Sequence, residues 1–114
     1  MENNKNWVYT FIRQDLPIEQ QIVQAAHSAL EAGRDLGKPD SESNLVLLGI
    51  QDQDSLLQVA EKLKFNNIKY SLFYEPDYDR GYTSLTTEPL FDRKQRRVLS
   101  KYSLYKFNPE LHIA

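Results

Sequence analysis

The sequence has 114 residues, 40% of them hydrophobic and 26% charged, with a net charge of −2 at pH 7. This is the length and balance of one folded domain with one hydrophobic core, and it excludes a disordered tail, a collagen-like chain, a repeat array and a polybasic nucleic-acid binder. There is no cysteine, so disulfide scaffolds, thiol nucleophiles and thiolate metal sites are excluded together.

With two histidines, a His-only zinc site would need carboxylates to complete it, and neither a metal nor a cofactor is expected. The polar opening Met1 to Asn6 precedes only a short apolar run, which predicts no secretory signal. The longest apolar run, Leu45 to Ile50, falls far short of the about 20 residues that span a bilayer. A cytoplasmic protein without a membrane partner is the expectation.

Trp7 to Ile12 is aromatic and β-branched and predicts a strand buried on both faces. Pro17 suits a first helical turn, where its missing N–H costs nothing. Ile18, Ile22, Val23, Ala25, Ala26, Ala29, Leu30 and Ala32 then recur at helical spacing up to Gly33. Asn44 to Ile50 predicts a second buried strand. Asp52 or Asp54 can cap a second helix striped by Leu56, Leu57, Val59, Ala60 and Leu63.

After the turn Asn66-Asn67, Ile68 to Tyr74 predicts a third strand, Glu75 to Gly81 a charged loop, and Thr83 to Thr87 a short fourth strand. Phe91 to Ser100 predicts a last helix. The order β-α-β-α-β-β-α predicts an α/β three-layer sandwich, a four-stranded mixed sheet flanked by helices. The third and fourth strands are joined too closely for a crossover and should be antiparallel. One domain, 1–114, is expected, ending in a basic segment, 90–106.

Three places can carry chemistry. Gln20, Gln24, His27 and Glu31 lie on one face of the first helix, either as a solvated surface or as a polar strip facing a cleft. His27 is the group in that strip that titrates near neutral pH. In the loop Tyr74 to Tyr82, the carboxylates Glu75, Asp77 and Asp79 alternate with tyrosines beside Arg80. This pattern fits a charged turn, acid–base work or the holding of a divalent cation, with Thr83 just beyond it. From Leu90 to Lys106 the net charge is +5, so the remainder carries −7 against the overall −2. Arg93, Lys94, Arg96 and Arg97, with Tyr102 and Tyr105, could bind phosphates and stack bases, or could form a solvated face that offsets the acidic body. Gly-rich phosphate loops, nucleophile elbows and Cys/His pairs are absent.

Together these residues resemble a known family. Arg13-Gln14-Asp15-Leu16 followed by Gln24-Ala25-Ala26-His27-Ser28-Ala29-Leu30 resembles the R-x-D-L … Q-x-x-H-A opening of type 2 peptidyl-tRNA hydrolases. Phe73-Tyr74-Glu75-Pro76-Asp77 with Thr83-Ser84-Leu85 resembles the E-P-D-x-x … T-A-x-A segment of the compact bacterial and phage branch of that superfamily. The likeness runs from about residue 7 to 90 in matching order.

The resemblance implies hydrolysis of the ester joining a peptide to the tRNA 3′ end. Glu75 or Asp77 would position or activate a water, Thr83 would hydrogen-bond it, and Gln24 and His27 would orient the ester, with Gln20 on the same strip. Arg13 and Asp15 would form an ion pair or a wall of the site, and Arg93, Lys94, Arg96 and Arg97 would meet RNA. The family's Gly-Lys segment is shortened here to Glu19-Gln20-Gln21, without the Lys. The alternative is a non-catalytic module of the same fold that holds a nucleotide, an RNA end or a protein. Family members commonly form dimers, and Tyr70, Tyr78, Tyr82, Tyr102 and Tyr105 predict a homodimer through the fourth strand and the C-terminal segment.

Overall fold

A computed structural model describes residues 5–109; most of the polar opening read for a secretory signal lies outside the described residues. The elements are β1 (Trp7–Arg13), α1 (Ile18–Asp35), β2 (Asn44–Ile50), α2 (Gln53–Phe65), β3 (Tyr70–Glu75), β4 (Gly81–Thr87) and α3 (Arg93–Arg97). Four strands form one mixed sheet in the order β2-β1-β4-β3. β1 and β2 are parallel, and β4 runs antiparallel to both β1 and β3. The expected α/β class, mixed sheet and antiparallel β3–β4 pair are all present.

Alternate residues divide the two faces of the sheet. Phe11 and Leu85 turn toward α2 and form the core with Leu48, Leu56, Val59 and Leu63. Thr10 and Thr86 turn the other way, where Thr86 meets Ser28 of α1. Asp52 caps α2 by accepting the Ser55 amide at 2.9 Å. Asn67, at φ 58°, ends that helix in the left-handed region that Asn tolerates.

Two expectations change. β2 lies at the sheet edge, and Leu45 and Leu47 are 64% and 37% exposed. It is not buried on both faces, because α1 packs over β4, β3 and β1 and leaves β2 uncovered. The last helix spans only Arg93–Arg97, with Asp92 accepting the Gln95 amide at its start. The chain then turns so that Leu99 and Tyr102 pack on the core, and Leu104 and Tyr105 run along the edge of β2. Among the described residues, no helix is long and apolar enough to cross a membrane.

Candidate functional site

Helix α1 is turned opposite to its hydrophobic pattern. Its buried positions are Gln21, Gln24, Ser28 and Ala32, whereas Ile22 and Leu30 are 66% and 68% exposed. The cause is the strand beneath it. β4 places buried hydroxyls at Thr83, Ser84, Thr86 and Thr87, and buried hydroxyls need partners that leucines cannot supply. Ser28 Oγ and Thr10 Oγ1 each lie 2.8 Å from Thr86 Oγ1. Ser84 donates to the Gln24 carbonyl at 2.6 Å, Gln21 donates to the Leu16 carbonyl at 2.8 Å, and Tyr105 donates to Gln21 Oε1 at 2.6 Å. Among the described residues, no buried side-chain nitrogen or oxygen lacks a partner. The strip Gln20, Gln24, His27 and Glu31 is therefore split. Gln24 is buried, Gln20 and Glu31 are half-buried, and His27 is exposed.

A bulge aims Thr83 at this layer. Pairing of β3 with β4 passes from Phe73–Ser84 to Tyr74–Tyr82, leaving Thr83 as the extra residue. An extra residue turns its side chain away from regular alternation, and Thr83 Oγ1 donates to Gln24 Oε1 at 2.6 Å. With its oxygen committed to Thr83, the Gln24 amide nitrogen donates to Glu75 Oε1 at 2.9 Å. The Asp77 amide reaches Glu75 Oε2 at 3.4 Å. These bonds hold the Glu75 carboxyl below its ordinary pKa, the Gln24 amide being the largest cause, with the nearby His27 and Arg80 adding to it and partial burial opposing it. His27 stacks face to face on Phe73, ring centroids 4.5 Å apart.

The fold thus brings Gln20, Gln24, His27, Glu75 and Thr83 together. Asp77 contributes its amide; its side chain is exposed in the short 3₁₀ turn Asp77–Asp79. Thr83 is fully buried behind Gln24, so it anchors the amide oxygen and cannot itself hold a water at the surface.

Arg13 and Asp15 form an ion pair at 2.9 Å, and Arg13 Nη1 also donates to the carbonyls of Arg80 and Tyr82. This clamps the end of β1 to the loop that carries Glu75. Gln53, which the sequence did not single out, accepts the Tyr82 amide at 2.7 Å. Gly81 sits at φ 75°, in the left-handed region that strains other residues, and a Cβ there would displace the Gln53 carboxamide from the Tyr82 amide.

The basic residues lie elsewhere. Trp7 and Leu90 exchange backbone hydrogen bonds at 2.9 and 2.8 Å, so α3 follows at the N-terminal end of β1. Ser84 pairs with Ile12 toward the other end of that strand, and Glu75 and Gly81 pair beyond it. Arg96 lies over the Trp7 ring, 3.6 Å from its centroid, and donates to the Tyr9 hydroxyl at 3.0 Å. Arg93, Lys94 and Arg97 are exposed beside it. None of the four adjoins Glu75.

Among known proteins, no family profile and no curated protein matches the chain. One similar solved structure is that of a protein of unknown function from Agrobacterium tumefaciens strain C58, with a TM-score of 0.64 and 15% identity. The match covers 90% of this chain and 98% of that one. At that identity the likeness establishes a shared α/β fold and nothing about activity.

Proposed function

We propose that this protein is a peptidyl-tRNA hydrolase-like esterase of the type 2 fold, cleaving the ester between a peptide and the tRNA 3′ end at Glu75 and His27. The observation that carries the reading is the chain from Thr83 through Gln24 to Glu75, next to an exposed imidazole. Five residues separated by up to 63 positions in the sequence, Gln20 to Thr83, meet at one corner of the sheet. Most of the segments that resemble the family lie at that corner.

In this mechanism Glu75 stays anionic and holds a water by hydrogen bonding, and His27 takes the water's proton as it attacks the ester carbonyl. The tetrahedral intermediate collapses, the carbon–oxygen bond to the ribose breaks, and His27 returns the proton to the leaving hydroxyl. The products are a peptide carboxylate and free tRNA. In the absence of the family Lys, Arg80 is a cation near Glu75 that can face the developing oxyanion.

Purified protein incubated with peptidyl-tRNA tests this. Glu75→Gln should lower turnover by roughly 10²-fold or more, the scale of a lost positioned acid or base. No cleavage by the wild-type chain would remove the reading.

The second reading is a binding module that holds an RNA end, a nucleotide or a protein without cleaving it. Its support is the lowered pKa of Glu75, which keeps that carboxylate ionised and makes it a weak base. Retention of peptidyl-tRNA without hydrolysis would select it.

Self-association is part of the same proposal, with β4 removed from its interface. β4 is paired on both sides inside the sheet. The five tyrosines are also scattered: Tyr102 packs on Phe11, Tyr82 on Tyr74, and Tyr105 is bonded to Gln21. A mass equal to one chain by light scattering across a dilution series would remove the homodimer.

A further inference from the structure

We propose that the cationic cleft between β1, β2, α3 and the turn at 99–104, with Lys62 of α2 beside it across Tyr102, binds the phosphate backbone of RNA. The cleft has a volume of about 450 Å³ and is bordered by Arg93, Arg96, Arg97 and Tyr102. Lys62 of α2 and Lys101 place their ammonium groups 5.3 and 5.8 Å from the centroid of the same Tyr102 ring. The two cations are 39 positions apart in the sequence, and the fold brings them together. Burial and the charge of Lys101 push the Lys62 pKa below its ordinary value, as expected of like charges held close.

Among the described residues, none of Lys62, Lys101, Arg93, Arg96 and Arg97 forms an ion pair. The acidic neighbour Asp92 is engaged as the cap of α3. A chain of net charge −2 that gathers unpaired cations along one cleft maintains a local repulsion that a bound polyanion would relieve. A linear chain of phosphates suits charges spread over three segments. α3 itself offers no apolar face to a bilayer, reading Arg-Lys-Gln-Arg-Arg, and Leu104 is the one exposed apolar side chain among those lining the cleft.

The cleft opens on the α2 side of the sheet, where Tyr9, Val46 and Leu48 line it, whereas Gln24 and Ser84 meet on the α1 side. It is thus separate from the Glu75 corner, and the inference stands without the hydrolase reading.

Fluorescence anisotropy with a short labelled single-stranded RNA and the full chain, titrated over a range of salt, tests it. The double substitution Lys62→Gln with Lys101→Gln should weaken binding about tenfold and lower the salt slope by roughly 0.7 for each phosphate no longer neutralised. Arg93→Gln with Arg97→Gln should act in the same direction, while Lys38→Gln, on the α1 side, should change neither quantity. Melting temperatures unchanged or raised in the lysine variants would confirm that folding is intact. The proposal is overturned by absence of RNA binding at low salt, by an equal effect of Lys38→Gln, or by tighter binding to anionic phospholipid vesicles than to RNA. Ester cleavage is read separately, so RNA binding without cleavage upholds this inference and counts against the hydrolase alone.

Discussion

The Gln24 carboxamide joins β4 to the end of β3: its oxygen accepts from Thr83 at 2.6 Å while its nitrogen donates to Glu75 at 2.9 Å. An amide can turn by half a rotation and exchange oxygen for nitrogen. A hydroxyl can donate to the oxygen or accept from the nitrogen, so the anionic Glu75, which only accepts, sets the nitrogen toward itself, and the Thr83 hydroxyl anchors the oxygen at the other end.

Thr83→Val keeps the shape and removes that restraint. It should cost about 1–3 kcal/mol of stability, the range for orphaning a buried polar group. It should also raise the Glu75 pKa by freeing the amide. The Glu75 pKa is depressed in the folded state, so its contribution to stability is present above the ordinary Glu range and is lost as pH falls through the lowered folded value. Denaturant melts from neutral to acid pH should therefore show the wild-type advantage over Glu75→Gln shrinking below the ordinary Glu range. In the Thr83→Val background that decline should be smaller. Parallel curves in both backgrounds would separate Thr83 from Glu75.

The inverted face of α1 makes a second prediction that hydrophobic patterning would reverse. Ile22→Ser and Leu30→Ser replace exposed apolar groups and should leave stability within about 0.5 kcal/mol. Gln21→Leu introduces an apolar residue at a buried position, yet it removes the bonds to the Leu16 carbonyl and the Tyr105 hydroxyl. It should cost about 1–3 kcal/mol. Chemical denaturation of the three variants checks the order, and a stabilised Gln21→Leu would show that the interface tolerates an apolar filling.

The extent to which this was legible in the sequence follows from the same helix. Strands and helices were readable because β1, β2, α1 and α2 carry strong local patterns. The orientation of α1 was not, because Ile22 and Leu30 read as inward until β4 is known to be central and hydroxyl-rich. One signal was available: Thr83, Ser84, Thr86 and Thr87 leave Leu85 as the one aliphatic residue in that stretch, and such a strand at the centre of a sheet demands polar partners from whatever covers it. The joining of Glu75, Gln24 and His27 was readable only through the resemblance. The bulge that turns Thr83 inward and the Lys62–Lys101 pair arise from strand register and chain crossing, which no local spacing encodes.

Four basic residues grouped by sequence as an RNA-binding set divide by structure. Arg96 is half-buried, 3.6 Å from the Trp7 ring centroid and bonded to the Tyr9 hydroxyl, while Arg97 is exposed and holds no aromatic ring in this way. A cation held against an indole contributes about 0.5–1 kcal/mol where exposed and about 2 where desolvated. Arg96→Gln should therefore lower stability by about 1–2 kcal/mol. Arg97→Gln should leave it within about 0.5 kcal/mol. The Trp7 fluorescence should change on Arg96→Gln alone, since the guanidinium lies against its ring. If Arg96→Gln and Arg97→Gln melted together with identical emission, Arg96 would have no role in holding Trp7, and its charge would be counted with the others at the cleft.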